Sequence, residues 1–191
     1  DVGARTDLIE GHGLLPTASI GAERRLSDVG GRVQLVAFAR AAQAVRVPTL
    51  YDLYFSSPQR LFARALSPER VNLDVSSGLR MVAGSMRHRA SIEGAVVARN
   101  TRDAIVWFPG NFGWSPTNVG VERLRGVESR AELVHGIASA SAWVTAYDAV
   151  LSTGGLRIPT PYVPRVAGGA QLQLHTHAQH ATVVWRGMGA R

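Results

Sequence analysis

Apolar and polar side chains alternate one by one along most of this chain, and this period of two limits the possible folds more than any other feature of the sequence. The pattern covers residues 14–24, 33–40, 71–81, 86–99, 119–134, 138–150, 166–175 and 180–187. A β-strand turns successive side chains to opposite faces, whereas an amphipathic helix needs a period of about 3.6. The sequence therefore predicts an all-β fold, an antiparallel up-and-down meander of about eight long strands.

The length of these segments narrows the prediction. Several run for ten or more residues, while the strands of ordinary globular proteins average about five or six. Strands of about ten residues that are apolar on one face and polar on the other are typical of outer-membrane barrels. We therefore expect the meander to be part of a transmembrane β-barrel.

The connections between the predicted strands alternate between short and long. Short turns are predicted at residues 27–31, 84–85, 135–136 and 177–179, and long segments at 42–69, 103–118 and 152–164. Outer-membrane barrels have short periplasmic turns and long extracellular loops, so this alternation favours a membrane barrel. Ser57 and Pro58 predict the start of a short helix over residues 59–66. Proline and glycine are expected to keep residues 107–116 out of a regular strand.

Composition excludes several other classes. The 191 residues contain no cysteine, which excludes a disulfide scaffold and a cysteine-ligated metal site. An apolar content of 46% is too high for a disordered chain. The sequence contains no run of about 18 apolar residues, which a membrane-spanning helix would need. The net charge of +7 rests on arginines spread from Arg5 to Arg191. Charge of this kind gives little support for a nucleic-acid partner.

Three segments resemble the β-barrel of TonB-dependent outer-membrane receptors. Residues 45–55, Val-Arg-Val-Pro-Thr-Leu-Tyr-Asp-Leu-Tyr-Phe, are similar to the family's Phe-Arg-Ala-Pro-x-Leu-x-Glu-Leu-Tyr stretch. Residues 66–70 look like the Leu-x-Pro-Glu that opens the next strand. Residues 102–107, 118–120 and 125–128 are similar to the family's Asp-x-Ile, Asn-x-Gly and Gly-x-Glu markers. The order and spacing of the motifs are more specific than any one of them.

The resemblance implies a barrel of about 22 strands with a plugged lumen, which imports ferric siderophores, haem or cobalamin with energy from the TonB complex. Residues 1–191 are then expected to be a barrel segment, with the plug domain and C-terminal strand absent. The implied location is the cell outer membrane. The implied partners are outer-membrane lipid, a small-molecule or metal-chelate substrate, and TonB through the plug of a longer parent. No histidine lies between Arg46 and Pro68, where haem receptors commonly carry one, so the wording is closer to cobalamin and siderophore receptors.

Side chains that contact the substrate are expected in the predicted long loops. The candidates are Trp107, Phe108, Phe112, Trp114, Arg157 and Tyr162. Aromatic rings supply large amphipathic contact areas. The alternative is that the tryptophans belong to an aromatic girdle at the membrane interface or pack within the loop.

No enzyme, cofactor or metal site is predicted. Nucleophile-elbow, P-loop and HExxH patterns do not occur in the sequence. His175, His177 and His180 have metal-ligand chemistry, but they lie at a predicted short turn without a nearby acidic residue. Turn or lumen-facing histidines are therefore the preferred interpretation. The carboxylates and arginine of residues 122–132 share one face of one strand, which predicts a polar, lumen-facing ladder.

Two other classes of protein remain as alternatives. A soluble basic β-protein that binds nucleic acid would need arginines that converge on one groove with interleaved aromatic rings. A soluble, lipocalin-like carrier would need hydrogen bonds between its first and last strands and an apolar interior. A membrane barrel requires the opposite distribution, with apolar side chains outside and polar side chains inside.

Overall fold

The computed structural model describes residues 1–9, 13–54, 66–85, 87–110, 113–176 and 179–189. The strands in this part of the chain are β1 (Val2–Ile9), β2 (Gly13–Val29), β3 (Val33–Arg46), β4 (Glu69–Gly84), β5 (His88–Gly110), β6 (Gly113–His135), β7 (Ala138–Thr153), β8 (Leu156–Pro159), β9 (Val166–His175) and β10 (His180–Met188). A short helix, α1 (Leu50–Tyr54), lies between β3 and β4. No helix among the described residues is long and apolar enough to cross a membrane.

All ten strands form one antiparallel sheet. Its order is β1-β2-β3-β4-β5-β6-β7-β9-β10, and β8 pairs with the far end of β7. The prediction of an antiparallel meander in sequential order is confirmed. In the described residues β1 and β10 stand at opposite edges and do not pair with each other, which does not favour the closed, lipocalin-like alternative.

The predicted number of strands was too low, because the described residues form ten strands and not about eight. The first additional strand, β1, pairs with β2 from Val2↔Ile20 to Ile9↔Gly13. The other, β8, has four residues and folds back on β7. Gly154 and Gly155 make this reversal possible, since their φ angles of 55° and 82° lie where other residues are strained.

The prediction that proline and glycine keep residues 107–116 out of a regular strand was wrong for the described part of this segment. The β5–β6 ladder continues through this segment to Gly110↔Gly113. Pro109 and Pro116 are both part of it, opposite Trp114 and Trp107. Pairing of β4 with β5 ends at Arg102, and pairing of β6 with β7 ends at Val121. Beyond these points each strand of the hairpin has a ladder on one side only, which is where a strand tolerates proline.

The ladder register gives the sheet two faces of opposite character. Partners in register share a face, as in the row Ala90↔Leu133↔Ala140↔Leu172↔Val183. We call this side the apolar face. Its exposed side chains include Leu79, Met81, Ile92, Val96, Val127, Leu133, Val144, Leu172, Val183 and Trp185. Soluble monomers rarely expose contiguous apolar patches larger than a few hundred Å², so this face requires an apolar environment.

We call the end of the sheet with the long connections its upper end. Polar residues mark the limit of the apolar face toward this end. Asn100, Arg125 and Asp148 follow the apolar series on three neighbouring strands. Measured from the row of Ala90, Leu133 and Ala140 to these polar residues, the apolar series covers eight to ten residue steps, or about 27 to 33 Å along a strand. A strand tilt of about 40° reduces this to about 20 to 25 Å, close to the apolar band of outer-membrane barrels. Arg24 of β2 also lies on this face, opposite Ala37, and a long arginine side chain can reach the interface.

The opposite side, which we call the polar face, carries charges that are paired with one another. Glu23 accepts from Arg40 at 3.2 Å and from Arg80 at 3.3 Å. Asp74 and Arg99 lie 2.6 Å apart on neighbouring strands. Arginines that already contact carboxylates do not form the cationic groove that the nucleic-acid alternative requires. The predicted polar ladder on β6 is confirmed, since residues 122, 128, 130 and 132 lie on this face.

Aromatic rings on the polar face cover glycines of the neighbouring strand. Phe38 is opposite Gly78 in the ladder, and a Cβ added to Gly78 would lie 2.8 Å from the Phe38 ring and would also meet the Gly94 carbonyl oxygen. Tyr147 covers Gly126 in the same way. These glycines leave room for rings to lie flat against the sheet.

The small buried core lies at the end of the sheet where the long connections are. Its centre is formed by Ala104, Val119 and Leu151, with Val106, Phe108 and Ile158 packed against it. A single sheet has few other places to bury side chains. The core therefore fixes the upper β5–β6 hairpin against β7 and β8.

Candidate functional site

Helix α1 begins with a local motif that holds the Asp52 carboxylate in place. The Thr49 amide and hydroxyl donate to Asp52 Oδ2 at 2.9 and 2.8 Å, and the Asp52 amide donates to Thr49 Oγ1 at 3.1 Å. This is the reciprocal capping arrangement of a helix N-terminus, with threonine at the cap and an acid three residues later. Thr49-Leu50-Tyr51-Asp52 supplies that spacing.

Asp52 also joins α1 to the β5–β6 hairpin. The Trp107 indole donates to Asp52 Oδ1 at 3.0 Å, and Arg46 lies 3.7 Å from Asp52 Oδ2. The Tyr51 and Trp107 rings are 5.1 Å apart between centroids. Asp52 is only 3% exposed, and a buried carboxylate needs partners of this kind. Asp52, Thr49, Trp107 and Arg46 therefore form one cluster of contacts centred on Asp52, which we call the hub.

Arg46 connects the same hub to the start of β4. Its guanidinium lies 3.2 Å from Glu69 and donates to the Ile105 carbonyl oxygen at 3.4 Å. The Glu69 carboxylate in turn accepts from the Ile105 amide at 3.1 Å. One arginine thus holds the end of β3, the start of β4 and the upper part of β5 together.

Two carboxyl groups at this end have shifted pKa values of opposite sign. Burial raises the pKa of Asp52, but the hydrogen bonds from Thr49 and Trp107 and the charge of Arg46 outweigh it, so the pKa lies below the ordinary 3.8. Burial also raises the pKa of Glu122, and this effect prevails over the opposing Thr160 hydroxyl, so the pKa lies above 4.5. Asp52 is therefore charged at neutral pH.

Asn118 fastens the segment before β4 to the hairpin. Its side-chain oxygen accepts from the Ser67 amide at 2.7 Å, and its amide group donates to the carbonyls of Ser67 and Asp103 at 2.9 and 2.8 Å. Asp103 has a φ of 53°, an uncommon value for a non-glycine residue. The sequence identifies Asn118 only as part of the Asn-x-Gly motif, because its bridging role depends on contacts between residues 51 positions apart.

A cleft opens beside the hub, between the upper end of β7 and the segment from β8 to β9. Its volume is about 620 Å³, and its polar lining comprises Tyr147, Asp148, Arg157, Thr160, Tyr162 and Arg165. The Tyr162 hydroxyl lies 3.5 Å from the Trp107 carbonyl oxygen, and the Tyr162 ring lies 6.2 Å from the Trp114 ring. The cleft is large enough for a small ligand and is adjacent to the hairpin.

The structure brings most of the candidate substrate-contacting residues to this end but separates their roles. Arg157 and Tyr162 line the cleft, and Trp114, which is 52% exposed, borders it through Tyr162. Trp107 uses its indole N–H to hold Asp52, and Phe108 packs against the buried core. Phe112 lies outside the described residues. Contact of any of these side chains with substrate stays a prediction.

The histidines at the β9–β10 turn form a close pair. The rings of His175 and His180 lie 4.2 Å apart, and His180 Nε2 is 3.0 Å from the Thr182 hydroxyl. His177 is outside the described residues. In the part of the chain that the structure describes, no three histidine, aspartate or glutamate side chains come together as a metal site.

These observations define a class of fold, the wall of a β-barrel that is apolar on one face and polar on the other. Short turns lie at one end of the sheet, and the hub, the upper β5–β6 hairpin and the cleft lie at the other. Among solved structures, the chain is similar to one described as copper transporter OprC, with a TM-score of 0.56 and 20% sequence identity. The match covers 91% of this chain and 26% of that one, so this chain spans about a quarter of its length. The likeness confirms the predicted fold class.

Neither of the two sequence comparisons adds to this result. No protein-family model matches the chain, and no curated protein matches it.

Proposed function

We propose that this chain is a segment of an outer-membrane transport barrel that takes up a scarce nutrient. The observation that carries the proposal is the apolar face, which is continuous across the sheet and exposed to the surroundings. In a bilayer this face meets lipid, while the paired charges of the polar face meet a hydrated lumen. Similarity to copper transporter OprC in fold supports transport as the class of function.

The cleft beside the hub is the proposed contact surface for the transported molecule. Arg157 and Arg165 outnumber Asp148 in its lining, which favours a ligand with negative charge. Tyr162 and Trp114 add aromatic surface next to these charges. A ferric siderophore, which combines carboxylate or catecholate oxygens with an organic framework, fits this chemistry, and cobalamin is the alternative cargo.

Energy for uptake would come from the TonB complex, as the motifs around residues 45–55 and 66–70 imply. The contact with TonB would be made by a plug domain belonging to a longer parent protein. In this proposal the sheet described here contributes part of the barrel, and neighbouring strands of the parent pair with the edges at β1 and β10.

The proposed position in lipid can be tested with single-tryptophan variants. Trp185 lies on the apolar face and is 63% exposed, while Trp143 lies on the polar face and is 40% exposed. In vesicles whose acyl chains carry bromine, a variant that retains only Trp185 is expected to lose most of its fluorescence. A variant that retains only Trp143 provides the matched control and is expected to respond to aqueous acrylamide instead. Equal quenching of both by the lipid would contradict the proposal.

The cleft needs a separate test, since its failure must be distinguishable from failure of the membrane assignment. Tryptophan fluorescence would be recorded in a variant that keeps Trp107, the partner of Asp52, and Trp114 but lacks Trp143 and Trp185. The variant would be titrated with a ferric siderophore and, separately, with cobalamin. Arg157→Ala is expected to weaken binding at least about tenfold, the loss of one charge-assisted contact. Arg5→Ala, on an exposed part of β1, serves as the control. Equal affinities in both variants would exclude the cleft and leave the barrel assignment intact.

A further inference from the structure

Two histidines face each other across the β5–β6 ladder at the short-turn end of the sheet. His88 is the first residue of β5, His135 is the last residue of β6, and they are partners in register. Both side chains are exposed. They lie on the apolar-face side, just beyond Ala90 and Leu133, where the apolar series ends. The pair is therefore exposed at the limit of the apolar face, at the opposite end of the sheet from the cleft.

The backbone brings these two side chains as close as an antiparallel ladder allows. The Gly136 amide donates to the Arg87 carbonyl oxygen at 2.9 Å, which makes Arg87 and Gly136 a hydrogen-bonded pair. Because hydrogen-bonded and non-hydrogen-bonded pairs alternate, His88 and His135 occupy a non-hydrogen-bonded position, where Cα atoms are only about 4.5 Å apart. The ring centroids lie 4.5 Å apart.

The nitrogen atoms of the two rings converge. Nδ1 of His88 lies 3.0 Å from Nδ1 of His135. Two nitrogen ligands of one metal ion, each about 2.0 to 2.1 Å from it and subtending 90 to 109°, are about 2.8 to 3.4 Å apart. The observed separation falls within this interval. The two rings are tilted by 54° with respect to each other, so they are not stacked face to face.

We propose that His88 and His135 form a two-imidazole site for a divalent transition-metal ion of the Zn²⁺ and Cu²⁺ class. Each Nδ1 atom donates its lone pair to the ion, any proton on Nδ1 is released to water, and water completes the coordination. Arg87 and Arg89 stand next to His88 in the sequence, so their charge weakens the attraction for a cation. The inference depends only on the geometry of this pair and is independent of the proposed transport function.

The test uses the whole chain in detergent micelles, titrated with Zn²⁺ in a calorimeter. His88→Gln and His135→Gln each remove one ligand, and both are expected to weaken the same site at least about tenfold, since even loss of an outer contact costs that much. The double variant is expected to lose one bound ion. His175→Gln with His180→Gln removes two imidazoles from the neighbouring hairpin and provides the matched control, which should retain the site.

A second measurement avoids substitutions altogether. Zn²⁺ is expected to protect both His88 and His135 of the unaltered chain from modification by diethyl pyrocarbonate, as read by mass spectrometry of the peptides. Unchanged Zn²⁺ binding in the two single variants would overturn the proposal, and so would an effect of only one of them. Loss of binding confined to the control variant, or absence of protection at either histidine, would overturn it as well.

Discussion

Replacing Asp52 should release α1 from the β5–β6 hairpin. The carboxylate accepts three hydrogen bonds, two from Thr49 and one from Trp107, and faces Arg46 at 3.7 Å. Thr49 is exposed, so its donors can turn to water after the substitution. The Trp107 indole N–H and the Arg46 guanidinium lose a partner that they cannot fully replace.

The size of the effect follows from these contacts. A hydrogen bond to a charged group contributes about 1.5 to 3 kcal/mol, and a buried donor left without an acceptor costs about 1 to 3 kcal/mol. Trp107 is only half-buried, which places both contributions near the lower ends of their ranges. The expected cost of Asp52→Ala is therefore about 2 to 3 kcal/mol in the local free energy of opening, or a 30- to 160-fold change in its equilibrium constant.

Hydrogen exchange at Leu53 reports this opening directly, because the Leu53 amide donates to the Thr49 carbonyl oxygen at 3.0 Å within α1. Exchange at this amide should accelerate by the factor given above in Asp52→Ala. Asp52→Asn keeps an acceptor for Trp107. Exchange at the Leu53 amide in this variant should be faster than in the unaltered chain and slower than in Asp52→Ala. Asp148→Ala removes an exposed carboxylate from the cleft and should leave Leu53 unchanged. An unaltered exchange rate in Asp52→Ala would refute the role assigned to the hub.

Three further predictions concern the two faces of the sheet and the effect of pH. Val96→Arg, on the apolar face, should lower the unfolding free energy in vesicles by about 2 to 4 kcal/mol, and Val97→Arg, on the polar face, by less than about 1 kcal/mol. Gly78→Ala should cost about 1 to 3 kcal/mol because its Cβ meets the Gly94 carbonyl, whereas Gly94→Ala has open space and should shift urea unfolding by less than about 0.5 kcal/mol. The stabilisation due to charged Asp52, whose pKa is lowered, should persist above pH 3.8 and disappear as the pH falls below that value, as Trp107 fluorescence would report.

The sheet itself could be predicted from the sequence because its two faces differ so strongly in polarity. Alternation around Val96 and Val127 predicts that these segments are strands and which of their side chains share a face. The glycines at 30, 84 and 136 mark the short turns. Sequential strand order follows, since neighbouring strands joined by tight turns must be antiparallel partners.

The upper part of the molecule could not be predicted in the same way. Pro109 and Pro116 argue against a strand in any internal ladder, and only the end of pairing at Arg102 and Val121 shows that each strand of the hairpin has a ladder on one side there. The contact between Asp52 and Trp107 joins residues 55 positions apart, so no local sequence pattern predicts it. The close approach of His88 and His135 likewise depends on the ladder register, which alternation restricts only to steps of two residues.

Labelling of adjacent positions on β5 tests the central claim, that one face of the sheet meets lipid and the other meets water. The chain has no cysteine, so Val96→Cys and Val97→Cys give single labelling sites on opposite faces without further substitutions. In lipid vesicles a charged, membrane-impermeant maleimide should react with the cysteine at position 97 and spare the one at position 96, whose native side chain is 60% exposed in the structure. Detergent denaturation should make the two react alike. Rapid aqueous labelling at position 96 in the folded, lipid-bound protein would contradict the account.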